Sequence, residues 1–187
     1  RAGLCYNNTD TRTGGNNMKI IGIDPGYATI GYGVLDYRNT RFTTLDYGAI
    51  ITTPDHPFPE RLLKIYEETS AIIERHRPDA AAIEKLFFSN NKTTGIDVAQ
   101  ARGVILLACE QNGVPCYEYT PMQVKQAVVG YGKAMKPQVM DMTKRLLRLD
   151  KLPKPDDTAD ALAIAICHAH AAPSRLTMQL GQLNLRR

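Results

Sequence analysis

The sequence predicts a single α/β domain, a five-stranded mixed sheet with helices on both faces. Three observations predict it. Three β-rich runs follow one another across short polar turns, strand and helix patterns then alternate, and helical patterns close the chain. At 187 residues the chain is long enough to bury one core, and 43% hydrophobic with 22% charged residues is ordinary for a globular protein.

The elements follow in order. Residues 19–24, KIIGID, are a short apolar run that ends in an acid and is broken by Pro25-Gly26. Residues 30–37 are β-rich, and a turn over Arg38-Asn39 leads into a third run at 41–51, so the three read as an antiparallel meander. Apolar residues at three-to-four spacing (Leu62, Leu63, Ile65, Tyr66, Ile72, Ile73) predict a helix over 58–76, ended by His76-Arg77-Pro78. AAAIE at 80–84 reads as a buried strand, again finishing on an acid. A long helix from Lys92 to Glu110 stops at Asn112-Gly113, and 114–119 form the fifth strand. Helices over 121–129, from Pro137 to Arg148 and from Asp156 to His170 complete the order, with Pro137 and Pro155 where first-turn prolines are tolerated.

Composition narrows the function. No apolar run approaches the roughly 18 residues that span a bilayer, so a membrane role is not expected. Residues 1–17 are polar and Gly/Asn-rich and lack the apolar stretch of a secretory signal; Met18 is the expected natural start, with 1–17 a non-native or disordered leader. Residues 18–172 are the expected domain and 173–187 a flexible basic tail. Cys5 falls in the leader, and Cys109, Cys116 and Cys167 are an odd set without zinc-type spacing, which points to reduced thiols and the cytoplasm. The net charge of +4 is carried by the ends: the leader holds Arg1 and Arg12 against Asp10, and the tail holds Arg175, Arg186 and Arg187, leaving residues 18–173 neutral. A nucleic-acid partner would therefore meet local basic patches rather than a basic domain.

Four acids carry the chemistry. Asp24 and Glu84 each end a strand, and adjacent parallel strands ending in acids place both carboxylates on one sheet edge. Asp157 and Asp160 lie three apart in the first turn of the last helix and share a face. Each has a bland explanation alone: a turn former for Asp24, a cap or dipole partner for Asp157 or Asp160. Glu84 is harder to dismiss, because a carboxylate behind Ala-Ala-Ala-Ile is costly to bury without a partner. Together, four oxygen donors without His or Cys suit Mg²⁺ or Mn²⁺ better than zinc. Two such ions about 4 Å apart can activate a water and stabilise the leaving oxygen in phosphodiester hydrolysis.

Five stretches resemble one family in order: IGIDPGYATIGYGVLD at 21–36, AAIEKLFF at 81–88, QARGVILLA at 100–108, YTPMQVKQAVVGYGKAMKPQV at 119–139 and DDTADALAIAICHAH at 156–170. They are similar to the RuvC-type Holliday-junction resolvases, nucleases of the ribonuclease-H-like fold. The resemblance implies that Asp24, Glu84, Asp157 and Asp160 are the catalytic, metal-binding acids, and the DxxD spacing selects Asp157 over Asp156. It implies two Mg²⁺ ions, with Mn²⁺ a substitute, and paired symmetric nicks that leave 3′-hydroxyl and 5′-phosphate ends in recombination and repair. Phe87 matches an aromatic placed against unstacked bases at the junction centre, and Lys125, Lys133 and Lys136 match basic positions near DNA. The implied partners are four-way junction DNA, a second copy of the chain through the helix around 97–108, and a branch-migration complex of RuvA and RuvB type proteins. Plain core packing is the alternative for Phe87 and for the small apolar face of that helix (Ala99, Gly103, Val104, Leu107), and a solvated face is the alternative for the lysines. His168 and His170 lie beyond an apolar stretch and are expected to be structural.

GIDPGYATIGYGV is also similar to the phosphate loop of sugar kinases and chaperone-type ATPases. That reading needs a second acidic-glycine strand–turn downstream, and the sequence has none. A non-catalytic junction-binding module, with the acids as caps only, is disfavoured by the intact acid set.

Overall fold

The structure, a computed structural model, describes residues 17–86 and 92–171, with the side chains of 92–94 left aside. The leader and tail expected at 1–17 and 173–187 thus lie outside it, apart from Asn17. Ten elements follow the predicted order: β1 (Met18–Asp24), β2 (Thr29–Arg38), β3 (Arg41–Ile51), α1 (Phe58–His76), β4 (Ala80–Glu84), α2 (Lys92–Gln111), β5 (Cys116–Tyr119), α3 (Pro121–Val129), α4 (Lys136–Leu147) and α5 (Asp156–Ala171).

One sheet has the order β3-β2-β1-β4-β5. The β1–β2 and β2–β3 pairs are antiparallel, while β4 runs parallel to both β1 and β5. Because β1 and β4 are covered on both faces, they read as unbroken apolar runs rather than alternating ones. Alternation still sorts their side chains. Ile20, Ala80 and Ala82 pack with α3, α4 and α5 residues on one face, whereas Ile21, Ile23, Ala81 and Ile83 pack with α1 and α2 residues on the other.

α1 buries Ile65, Thr69, Ile72 and Ile73 and ends at Arg77, which turns left-handed (φ 47°) and donates its N–H to the Ile73 carbonyl. α2 turns Ala101, Ile105, Ala108 and Cys109 to the core. The small face marked in the sequence is therefore not the core face: Gly103 and Leu107 are exposed and Ala99 and Val104 only half-buried. α5 is buried all round, and of residues 158–169 only Asp160 keeps appreciable exposure.

Several boundaries differ from the sequence reading by a residue or two. β5 starts at Cys116, not Val114, because the Val114 N–H closes the end of α2 on the Cys109 carbonyl (2.9 Å). α4 opens at Lys136 and stops before Arg148, which is left-handed at φ 52°. Pro155 precedes α5 instead of sitting in its first turn, and its carbonyl accepts the Thr158 N–H at 3.1 Å.

Candidate active site

The sheet register brings the first two acids together. Ile23 pairs with Ile83, so Asp24 and Glu84 are next in line on parallel neighbours. Both share the alternation of Ile20, Ala80 and Ala82, which points them to the α5 side. α5 supplies the other two from its first turns, and its seat is cut by glycines. A Cβ on Gly31 would lie 2.0 Å from the Asp157 carbonyl oxygen, and one on Gly22 would lie 2.1 Å from that of Ala161. No side chain fits there, so the backbone of α5 rests directly on β1 and β2. The Thr158 hydroxyl adds a bond to the Gly48 carbonyl at 3.0 Å, tying the start of the helix to β3.

The four carboxyls share one electrostatic environment. Burial pushes Asp24 up to about 8, helped by the charges of Glu84, Asp160 and Asp157 in that order. Glu84 is also raised, first by burial, although the hydrogen bond from Asp24 and the cations Lys136 and Lys125 pull the other way. Asp24 thus holds the shared proton and donates it to Glu84. Asp160 is paired with Lys136, whose Nζ stands 2.8 Å from Oδ2 and 3.9 Å from Asp156 Oδ2. That contact with Asp160 is the main cause of the raised Lys136 value.

A cavity of about 230 Å³ opens on this cluster, lined by Glu84, Lys125, Lys136 and Asp160 over the apolar floor of Val124, Val139 and Ile164. Of the expected DNA contacts, Lys125 and Lys136 stand in its wall. Lys133 is exposed on the loop between α3 and α4 but does not line the cavity. Phe87 lies outside the described residues.

Among the described residues the acids are gathered as an Asp24–Glu84 pair and an Asp160–Lys136 pair, and no three metal-type side chains form a ready ligand set. The donors fit a hard divalent cation nonetheless. All are carboxylate oxygens, and Asp24 is kept from ionising first by burial and then by its acidic neighbours, a condition a cation relieves.

The model of the family described as crossover junction endodeoxyribonuclease RuvC matches residues 20–168. The chain belongs to this family. It is therefore a metal-dependent nuclease of the ribonuclease-H-like fold, and resolution of Holliday junctions is the family's activity. The RuvC of Desulfitobacterium hafniense is 56% identical over 154 residues, covering 82% of this chain and 93% of that protein. The RuvC of Clostridioides difficile is 53% identical over 163 residues, covering 87% and 96%. Among solved structures, Thermus thermophilus RuvC in complex with a Holliday junction substrate superposes with a TM-score of 0.79 at 39% identity, covering 83% of this chain and 94% of that one.

Two contacts of this chain lie beyond the sequence expectations. One is Asp156, held below the usual carboxylate range chiefly by its hydrogen bond from Lys154 at 3.0 Å. The other is His168, buried with its Nδ1 2.7 Å from the Tyr119 hydroxyl beneath the end of β5. His170 is exposed and meets the Ala127 carbonyl at 3.1 Å, a structural role as expected.

Proposed function

We propose that the protein resolves four-way DNA junctions by paired symmetric nicks, with Asp24, Glu84, Asp157 and Asp160 as the catalytic, metal-holding acids. The observation that carries this reading is the convergence of these acids where β1 and β4 end beside the start of α5, at a cleft that Glu84 and Asp160 line together with Lys125 and Lys136. Two Mg²⁺ ions, for which Mn²⁺ can substitute, would supply activation of the attacking water and charge for the leaving oxygen. The protein's own part is positional. Asp24 and Glu84 hold one side of the ion site on rigid strands, and Asp157 and Asp160 hold the other on a helix that cannot shift without overlapping β2. Lys125 and Lys136 orient the phosphate. The new bond joins the water oxygen to phosphorus, the bond to the 3′-oxygen breaks, and that oxygen takes up the proton, leaving 3′-hydroxyl and 5′-phosphate ends.

A homodimer supports two symmetric cuts, because a two-fold assembly presents two such sites to a four-armed substrate. The outward stripe of α2 favours that helix as the contact: Ile96 and Leu107 are more than half exposed, and an added Cβ on Gly103 would meet nothing. Phe87 and Lys133 belong to the same reading as junction contacts, and RuvA and RuvB type proteins as branch-migration partners. The free thiols Cys109, Cys116 and Cys167 suit the cytoplasm.

The test is direct. A labelled four-way junction and a linear duplex are incubated with the protein, with and without Mg²⁺. Paired nicks confined to the junction and dependent on the metal are expected; equal cutting of the duplex would overturn the reading.

A further inference from the structure

Lys136 and Asp160 carry two different duties in the proposed function, one toward DNA and one toward metal, yet the structure joins them to each other. The ammonium sits 2.8 Å from Asp160 Oδ2 and also reaches Asp156 at 3.9 Å. Its charge eases the ionisation of Glu84 as well. The backbone around it is fixed: Ala134 and Val139 are buried on either side, and Pro137 follows in the first turn of α4. The side chain is not, since 53% of it is exposed. An ammonium on a four-carbon stem makes a point-charge contact that it can exchange for another anion without moving the helix.

We propose that Lys136 is an internal counter-ion that competes with the divalent metal for Asp160 and is handed to a DNA phosphate when the junction binds. The inference rests on Asp160 being a metal ligand. A divalent cation on Asp160 and an ammonium at hydrogen-bond distance from the same carboxylate repel each other strongly, so each weakens the other's hold. A phosphate beside the cleft gives Lys136 a second anionic partner and frees Asp160. Linkage then requires reciprocity: the junction raises metal affinity by the factor by which metal raises junction affinity. The pair is half-exposed, so the expected factor is modest, about fivefold.

The experiment titrates Mn²⁺ into the metal-free full chain by calorimetry, with and without an uncleavable four-way junction whose scissile 3′-bridging oxygens are replaced by methylene groups. Wild type is compared with Lys136→Met, Lys136→Arg and Asp24→Asn. Without DNA, Lys136→Met should bind Mn²⁺ about fivefold more tightly than wild type, whereas Lys136→Arg, which keeps the charge, should not gain. Adding the junction should tighten wild type and leave Lys136→Met nearly unchanged. If wild type binds Mn²⁺ and Asp24→Asn does not, but Lys136→Met equals wild type without DNA, the inference fails and the proposed function stands. If wild type binds no more Mn²⁺ than Asp24→Asn even with the junction, the acids are not the metal site and both fail together.

Discussion

Replacing Asp24 by Asn is expected to stabilise the metal-free protein while abolishing cleavage. Asp24 rises from 3.8 to about 8 because folding buries it beside Glu84, Asp160 and Asp157. A carboxyl whose folded value lies above its unfolded value favours the fold fully below the unfolded value, and that contribution is lost as pH rises through the folded one. Between pH 3.8 and 8 the folded chain must keep a proton that the unfolded chain releases. At 1.36 kcal/mol for each pH unit from 3.8 to 7, the cost at neutral pH is roughly 4 kcal/mol. Asn is nearly the same shape and neutral at every pH, so it removes this cost. Asn Nδ2 can still donate to Glu84, though more weakly than the carboxyl O–H, which leaves about 2–4 kcal/mol, or a rise in Tm of about 5–12 °C for a chain this size.

The assay is thermal unfolding in EDTA at pH 5, 7 and 8.5, with junction binding and nicking measured in parallel. The gap in Tm should widen from pH 5 to about 8 and then level off, and Mg²⁺ should narrow it by stabilising wild type alone. Binding of the junction should persist and nicking should vanish. A variant no more stable than wild type at pH 8.5 in EDTA, or one that still nicks with Mg²⁺, would refute the reasoning.

Other perturbations test the surrounding structure. Gly31→Ala sets a Cβ 2.0 Å from the Asp157 carbonyl, so the start of α5 must shift; a loss of about 2–4 kcal/mol in urea unfolding is expected, and an unchanged midpoint would contradict the close seat. His168 is held down to about 4 by burial, so below its unfolded value near 6.5 the unfolded chain takes up a proton that the fold refuses. Stability should therefore fall by about 3 kcal/mol as pH drops from 6.5 to 4, and unfolding of His168→Gln should lack that component of the pH slope. Lys125→Ala should weaken junction binding irrespective of base sequence and reduce the slope of log K against log salt by about 1; an unchanged slope would remove Lys125 from the phosphate contacts.

The sequence showed the frame of the site better than its closure. Asp24 and Glu84 were legible because each ends a strand, and strand alternation carries the side chain's direction with it. α2 was left between two readings for a physical reason. Its apolar residues ring the helix, so spacing does not choose between the face holding Ala101, Ile105 and Ala108 and the one holding Gly103 and Leu107. The glycine seats were illegible too. Gly22 and Gly31 look like weak points in strands until α5, from the other end of the chain, lies across them. The Lys136–Asp160 pair likewise joins two helices whose sequences say nothing of each other.

That closure puts half of the proposed acid set and a central support of the core on one helix, α5. Apart from Asp160, every residue from Thr158 to Ala169 is buried, so the helix that carries Asp157 and Asp160 is also a central support of the core. Its position is fixed by backbone contact with β1 and β2 rather than by adjustable side chains, and Asp24 projects from the same β1. Errors in that contact would therefore move half of the acid set relative to the other half before they unfolded the domain. In Gly31→Ala, cleavage should accordingly fall more steeply than the fraction folded, because two-metal chemistry tolerates about an ångström of misplacement poorly. Activity that merely tracked the folded fraction would mean that the seat serves the core alone.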